Sequence, residues 1–218
     1  RKGPAVATAV KSRPATKSRK RLSRKEIFRR AERILLAEPH YVFHPCFDTP
    51  DADAEILGPP PERSSQRART RVTKDADFYV AFLYQTDPLS RDEEFYLFRK
   101  MNYLKFRGHR LRQNLDPATA TRRQVEEIER VEREATDLRN FIVESNLRLV
   151  TARAKHFART TGLPLDELIS EGNIGLVQAV EHFDFSRGTK LSTYATWAIT
   201  NKLLAFFHRA RRQTNHFV

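Results

Sequence analysis

The chain is poor in the residues that build most other fold classes. Its 218 residues include 7 Gly, one Cys and one Met. So few glycines argue against a glycine-rich sandwich and against a nucleotide-binding α/β sheet, and no phosphate-cradling loop motif is present. A lone Cys46 makes an internal disulfide impossible, which fits a reducing compartment. No apolar run approaches the roughly 20 residues that span a bilayer. The basic N-terminus has no hydrophobic segment behind it, so no secretory signal is visible and a cytoplasmic location is expected. No nucleophile stands paired with a base. His40, His44 and Cys46 lie close in sequence, but Pro45 disfavours a shared helix and hence a metal site. An enzyme is not expected, and neither a metal nor another cofactor is implied.

What the chain does have is positive charge, +13 in all. Residues 1–33 carry 13 Lys or Arg against Glu26 and Glu32, a net of +11. The remainder carries 27 basic and 25 acidic residues, a net of +2. The excess is therefore a tail. Blocks of like charge are usually solvated and disordered. The same tail suits non-specific contact with phosphates through counterion release.

Four segments are expected. Residues 1–22 mix Lys, Arg, Ser, Pro and Ala and read as a disordered basic tail. Residues 23–74 read as a short helix and a Pro-rich linker. Ser23 and Glu26 form a capping-box pattern. Ile27, Ala31, Ile34 and Leu35 follow on one face, and Pro39 ends the helix. Residues 75–115 hold a first short helix with Phe78, Phe82 and Leu83. A second follows the Ser90/Glu93 capping pattern and carries an apolar stripe of Phe95, Phe98, Met101 and Leu104. Residues 116–218 form the last unit. Asp116-Pro117 reads as a helix start. No Gly or Pro interrupts residues 118–161. Val125, Ile128, Val131, Ala135, Leu138, Ile142, Leu149 and Ala152 keep a helical period that misses at Ser145. Gly162 closes that helix. Another begins after Pro164, with Leu168, Ile169, Leu176, Ala179, Val180 and Phe183 inward. A last helix opens at Ser192 or Thr193 and runs to about Arg212. No stretch alternates, so the fold class is all-α, a multi-helix bundle with a disordered basic N-terminal arm.

Two neighbouring patches carry the chemistry. Glu167, Ser170 and Glu171 are spaced by three and four residues and share a helix face, with Asn173 beside them. Gly172 and Gly175 are unusual there, since each costs about 1 kcal/mol relative to Ala. A helix tolerates that where another backbone approaches closely. This face suits either a basic partner helix or plain solvation. The second patch is Phe183, Asp184, Phe185, Arg187, Lys190, Tyr194 and Trp197, a knot of rings and cations. Aromatic platforms hold unpaired bases at about 1–3 kcal/mol per base, and cations hold the phosphates. The plainer alternative is that these rings are core.

The order Asn146-Leu147-Arg148-Leu149-Val150, then Glu167 to Leu176, then Leu191-Ser192-Thr193-Tyr194-Ala195-Thr196-Trp197 resembles successive blocks of region 2 of primary-type sigma factors. These belong to the sigma-70 family of bacterial transcription initiation factors. Residues 75–115 look like the preceding region 1.2. The resemblance implies that residues 167–177 dock on the clamp helices of the RNA polymerase largest subunit, through Asp166, Glu167, Ser170, Glu171, Asn173 and Val177. It implies recognition of the −10 promoter element and capture of the non-template single strand. An adenine would flip into a pocket of Phe183, Asp184, Arg187 and Tyr194, near Lys190, with Trp197 stacking at the upstream edge of the bubble. A second flipped base would sit near Asn146, Leu149 and the helix of residues 91–107.

The chain departs from the family at Ala198, where a second Trp is usual, and at Thr200, where an Arg is usual. The pair that reads the upstream duplex base is here Asn201 and Leu204. Asn201 can still contact adenine, whereas Leu204 has no hydrogen-bonding group, so a relaxed preference at that base pair is expected. The chain is expected to be a fragment, stopping before regions 3 and 4. An anti-sigma factor is a further partner that the resemblance allows, with its identity left open. Two other classes stay in play: a general basic helical nucleic-acid-binding module without polymerase docking, and a structural scaffold.

Overall fold

The computed structural model describes residues 22–61 and 88–216, with side chains as far as Arg212. The tail of residues 1–21 and the helix expected at Phe78, Phe82 and Leu83 lie outside the described residues. Among the described residues six α-helices follow in order: α1 Arg24–Leu36, α2 Ala52–Ile56, α3 Arg91–Gln113, α4 Arg122–Thr161, α5 Leu165–His182 and α6 Leu191–His216. Two 3₁₀ turns, Pro45–Asp48 and Phe185–Arg187, sit between them. Among the described residues there is no strand, so the all-α expectation holds. None of the described helices is long and apolar enough to cross a membrane.

Local chemistry sets the helix ends. In α3 the Ser90 hydroxyl accepts from the Glu93 N–H at 3.3 Å, and Glu93 returns to the Ser90 N–H at 2.7 Å, a closed capping box. Gly162 ends α4 in the left-handed region (φ 71°), its N–H donating to Ala158 O at 3.0 Å. The start of α4 differs from expectation. Asp116 does not launch it. Its carboxylate accepts from the Ala118 N–H and the Thr119 hydroxyl at 3.0 and 2.8 Å, which holds a turn. The helix begins at Arg122, capped by a Thr121/Gln124 box.

The 40 residues of α4 form the spine, about 60 Å long at 1.5 Å per residue. Its first half buries Val125 and Ile128 with Ala31 and Ile34 of α1, and Val131 and Ala135 with Leu104 of α3. Its second half packs Val150 and Ala154 into the main core with Leu168 and Leu176 of α5. Between these halves the buried face turns. Ser145 is buried, its hydroxyl donating to Phe141 O at 2.8 Å. Beyond it Val150, Thr151 and Ala154 point inward, while Leu149 is half-buried and Ala152 is exposed. The expected period failed there because the neighbours change along the spine. Two further positions differ. Leu35 is 43% exposed, off the inward face of α1, and Phe95 leaves the buried stripe that Phe98, Met101 and Leu104 keep.

Residues 39–58 wrap α3. The Val42 N–H donates to Asn102 Oδ1 at 2.8 Å, Tyr96 to Gly58 O at 2.7 Å and Tyr103 to Asp53 at 2.7 Å. Phe47 is buried against Tyr103 and Phe106.

The two odd glycines face inward. A Cβ on Gly175 would lie 3.1 Å from both Ile199 Cα and Lys202 Cβ of α6, and one on Gly172 would lie 2.7 Å from Val150 Cγ1 of α4. The close approach is therefore within the bundle. Gly175→Val is expected to cost about 1–3 kcal/mol by overpacking, read as a lower thermal midpoint. An unchanged midpoint would contradict this packing.

Glu181 ties three helices together, paired with Lys105 of α3 and with Arg139 of α4 at 3.3 Å. Burial works to raise its carboxyl pKa, but hydrogen bonds and charge from Lys105 and Arg139 outweigh that and hold it below the usual glutamate range. With the folded value depressed, the triad's contribution is complete above an unfolded value of about 4.3. It drains as pH falls through the lower folded value. Glu181→Gln is expected to remove this part of the acid sensitivity, as unfolding curves from about pH 3 to 6 will show.

Candidate nucleic-acid interface

The connection between α5 and α6 is short and heavily tied. Phe183 leaves α5 and packs on Phe98 of α3 with ring centroids 4.8 Å apart. Asp184 caps the 3₁₀ turn, accepting from the Ser186 N–H and hydroxyl at 3.1 and 2.6 Å and from Arg187 Nε at 2.8 Å. The Ser186 hydroxyl foremost, joined by the Arg187 guanidinium and the Ser186 N–H, holds the Asp184 carboxyl below its usual range against the opposing effect of burial. Gly188 takes φ 67°, and its carbonyl accepts from Arg91 at 2.7 Å. The Leu191 N–H, at the start of α6, donates to Glu94 at 3.3 Å. Burial pushes the Glu94 carboxyl up, opposed by that N–H and by Lys190.

Beside this connection stand the rings of α6. Tyr194 is half-buried, and Trp197 is 61% exposed. They stack at 6.2 Å with an interplanar angle of 27°. Trp197, Asn201 and Leu204 follow at spacings of four and three, and all three are exposed. The Arg187 and Lys190 side chains, on the connection that leads into α6, reach solvent. Phe183 differs from the expected recess wall. It is 4% exposed, wedged between Phe98 and Tyr194, and offers no open face.

A cavity of about 300 Å³ opens beside the connection. It brings Asn146 and Leu149 of α4 together with Arg91 and Glu94 of α3 and Lys190 and Ser192 near the start of α6. Its size is at the small end of ligand sites. Arg91 and Glu94 were not singled out by residue type. The signal was the Ser90 cap, which puts both on the first turn of α3.

On α5, Asp166, Glu167 and Ser170 are exposed, and the Ser170 hydroxyl donates to Asp166 O at 2.9 Å. Asn173 and Val177 are half-buried. Glu171 turns away from this group. Its side chain is 19% exposed and accepts from Arg209 of α6 at 2.7 Å. Leu165 and Ile174 are exposed on the same helix and were missed. Ile174 lies four residues beyond Ser170 and seven beyond Glu167, so a helical wheel joins it to their face.

The fold and these patches define a helical bundle with an exposed aromatic and cationic edge. Residues 142–213, covering the second half of α4, α5, the connection and most of α6, match the family model described as Sigma-70 region 2. RNA polymerase principal sigma factor HrdD of Streptomyces griseus is 51% identical over 84 residues, 38% of this chain and 24% of that protein. HrdC of Streptomyces coelicolor, also described as a principal sigma factor, is 35% identical over 166 residues, 70% of this chain and 48% of that protein. The chain thus spans less than half the length of these relatives. It belongs to the sigma-70 family.

Proposed function

We propose that this chain is the promoter-opening part of a transcription initiation factor. It docks on RNA polymerase core through α5 and captures unpaired bases of the non-template strand with the α5–α6 connection and α6. The observation that carries this reading is the Tyr194–Trp197 stack, with Trp197 61% exposed, on the helix that follows the exposed Arg187 and Lys190. Turning a base out of the duplex costs a few kcal/mol. Stacking contributes about 1–3 kcal/mol per base, so two captured bases offset the cost without fuel. In this reading Tyr194 stacks on a flipped adenine of the −10 element, the turn of Asp184 and Arg187 supplies polar contacts, and Trp197 caps the upstream duplex. The cavity of Asn146, Leu149, Glu94 and Lys190 takes the second base.

The docking ledge is Glu167, Ser170 and Ile174, with Asp166 at its edge. Acidic groups in the first turn of α5 also complement that helix dipole. The pairing of Glu171 with Arg209 makes Glu171→Lys a poor probe, because it would set two cations side by side where α5 meets α6. Glu167→Lys changes an exposed side chain. It is expected to lower retention by polymerase core at least about tenfold, or 1.4 kcal/mol, while stability falls by no more than the roughly 0.3–1 kcal/mol of one charge at a helix N-terminus. Full retention would remove the ledge from the interface. A basic nucleic-acid module without polymerase would leave exposed Asp166 and Glu167 without a task, and the same experiment separates the two readings.

A further inference from the structure

The turn that presents Asp184 and Arg187 is only three residues of 3₁₀ helix. So short a turn does not hold its place alone. Its anchor is Phe185, which is 4% exposed. That ring has two aromatic neighbours. One is Phe95 of α3, at 5.6 Å and 67°. The other is His44, at 5.6 Å and 30°. His44 comes from the segment that wraps α3, outside residues 142–213 that match the family model. It is itself fixed: Nδ1 accepts from the Cys46 N–H at 3.3 Å, capping the turn Pro45–Asp48, and its ring lies 6.0 Å from the buried Phe47.

We propose that His44 is a positioning residue for the base recess: its ring, packed on Phe185, holds the Asp184–Arg187 turn in register with Tyr194. The inference rests on the recess reading above. It makes the wrapping segment part of the apparatus that reads DNA, through Phe185 and without a base contact of its own being needed. Phe95 and His44 brace Phe185 from two elements, α3 and the wrap. Loss of either leaves the plug supported on one side, and the turn it carries gains freedom.

His44 has two separable parts, a ring packed on Phe185 and an Nδ1 that meets both the N–H and, at 2.9 Å, the Sγ of Cys46, and two substitutions divide them. His44→Asn keeps a side-chain acceptor for the cap and removes the ring. His44→Phe keeps the ring and removes the acceptor. The experiment uses the full chain bound to polymerase core and a single-stranded −10-type oligonucleotide with a fluorescent analogue at the flipped adenine. His44→Asn is expected to weaken oligonucleotide binding about two- to tenfold, the size of one aromatic contact, with core docking unchanged and the melting temperature lowered by no more than about 4 °C. His44→Phe is expected to bind as the parent chain does. In the absence of DNA, amide exchange at Ser186 and Arg187 is expected to quicken for His44→Asn and not for His44→Phe. Parent-like binding and exchange by His44→Asn would overturn the proposal. So would equal weakening by both variants, which would assign the effect to the cap. If the parent chain with core fails to hold the oligonucleotide, the recess reading falls and this one with it. If the parent holds it and His44→Asn does too, only this proposal falls.

Discussion

Phe98→Ala is expected to lower stability by about 3–5 kcal/mol, the range for removing a buried aromatic ring. Phe98 is fully buried at the centre of α3 and is among the largest side chains so sealed. Its ring meets Phe183, the residue at which α5 hands over to the connection. The cavity left behind would therefore lie directly beneath the candidate base recess. Neighbouring helices are fixed by Leu176, Val180 and Ile199 in the same core and cannot collapse far to fill it. Phe95→Ala, three residues earlier on an exposed position, is expected to cost no more than about 0.5–1.5 kcal/mol for its ring contact with Phe185. Denaturant unfolding of the two variants measures the difference. A loss under 1 kcal/mol for Phe98→Ala would show that α3 is not the floor of the site.

Tyr194→Ala is expected to do the opposite. Tyr194 is half-buried and makes ring contacts with Phe183 and Trp197. Its removal leaves the core residues Leu191, Ala195 and Ile199 in place on the other face of α6. Stability should fall only modestly. Binding of a −10-type single strand should weaken by about 1–3 kcal/mol, the value of one stacked base. Phe183→Ala would also weaken binding, but through a lost fold, since its ring is sealed. Melting temperature and oligonucleotide affinity measured on both variants separate a stacking platform from a scaffold. Should Tyr194→Ala bind the strand as tightly as the parent chain, the assignment of Tyr194 as platform is wrong.

Much of this was legible in the sequence. Helix ends that depend on neighbours in the chain, such as the Ser90 cap and the Gly162 stop, can be read from local residue types. So can the inward faces of α5 and of most of α4, because periodicity reports burial. What periodicity does not report is which element does the burying. Phe95 fits the stripe of Phe98 and Met101, yet α3 turns it toward Phe185. Ala152 fits the early period of α4, yet the spine changes neighbours near Ser145 and the inward face moves. Phe183 and Tyr194 are both rings beside cations, and sequence alone gave them one role. Contact with Phe98 seals the first and leaves the second partly open. Glu171 shares a helical face with Glu167 on paper. Its pairing with Arg209, 38 residues away, is invisible until α5 and α6 lie side by side. Asp116-Pro117 misled for a local reason, since an Asp that caps a turn looks the same as one that caps a helix.

In the proposed function, Tyr194, Trp197, Arg187 and the neighbouring cavity trap bases of one strand. The most direct measurement mixes the full chain with polymerase core and compares a single-stranded TATAAT-type non-template oligonucleotide with its complement at one salt concentration. The non-template strand is expected to be retained at least about tenfold better, a difference of 1.4 kcal/mol. Equal retention of the two strands, falling together as salt rises, would mean that only phosphates are held and would contradict the account.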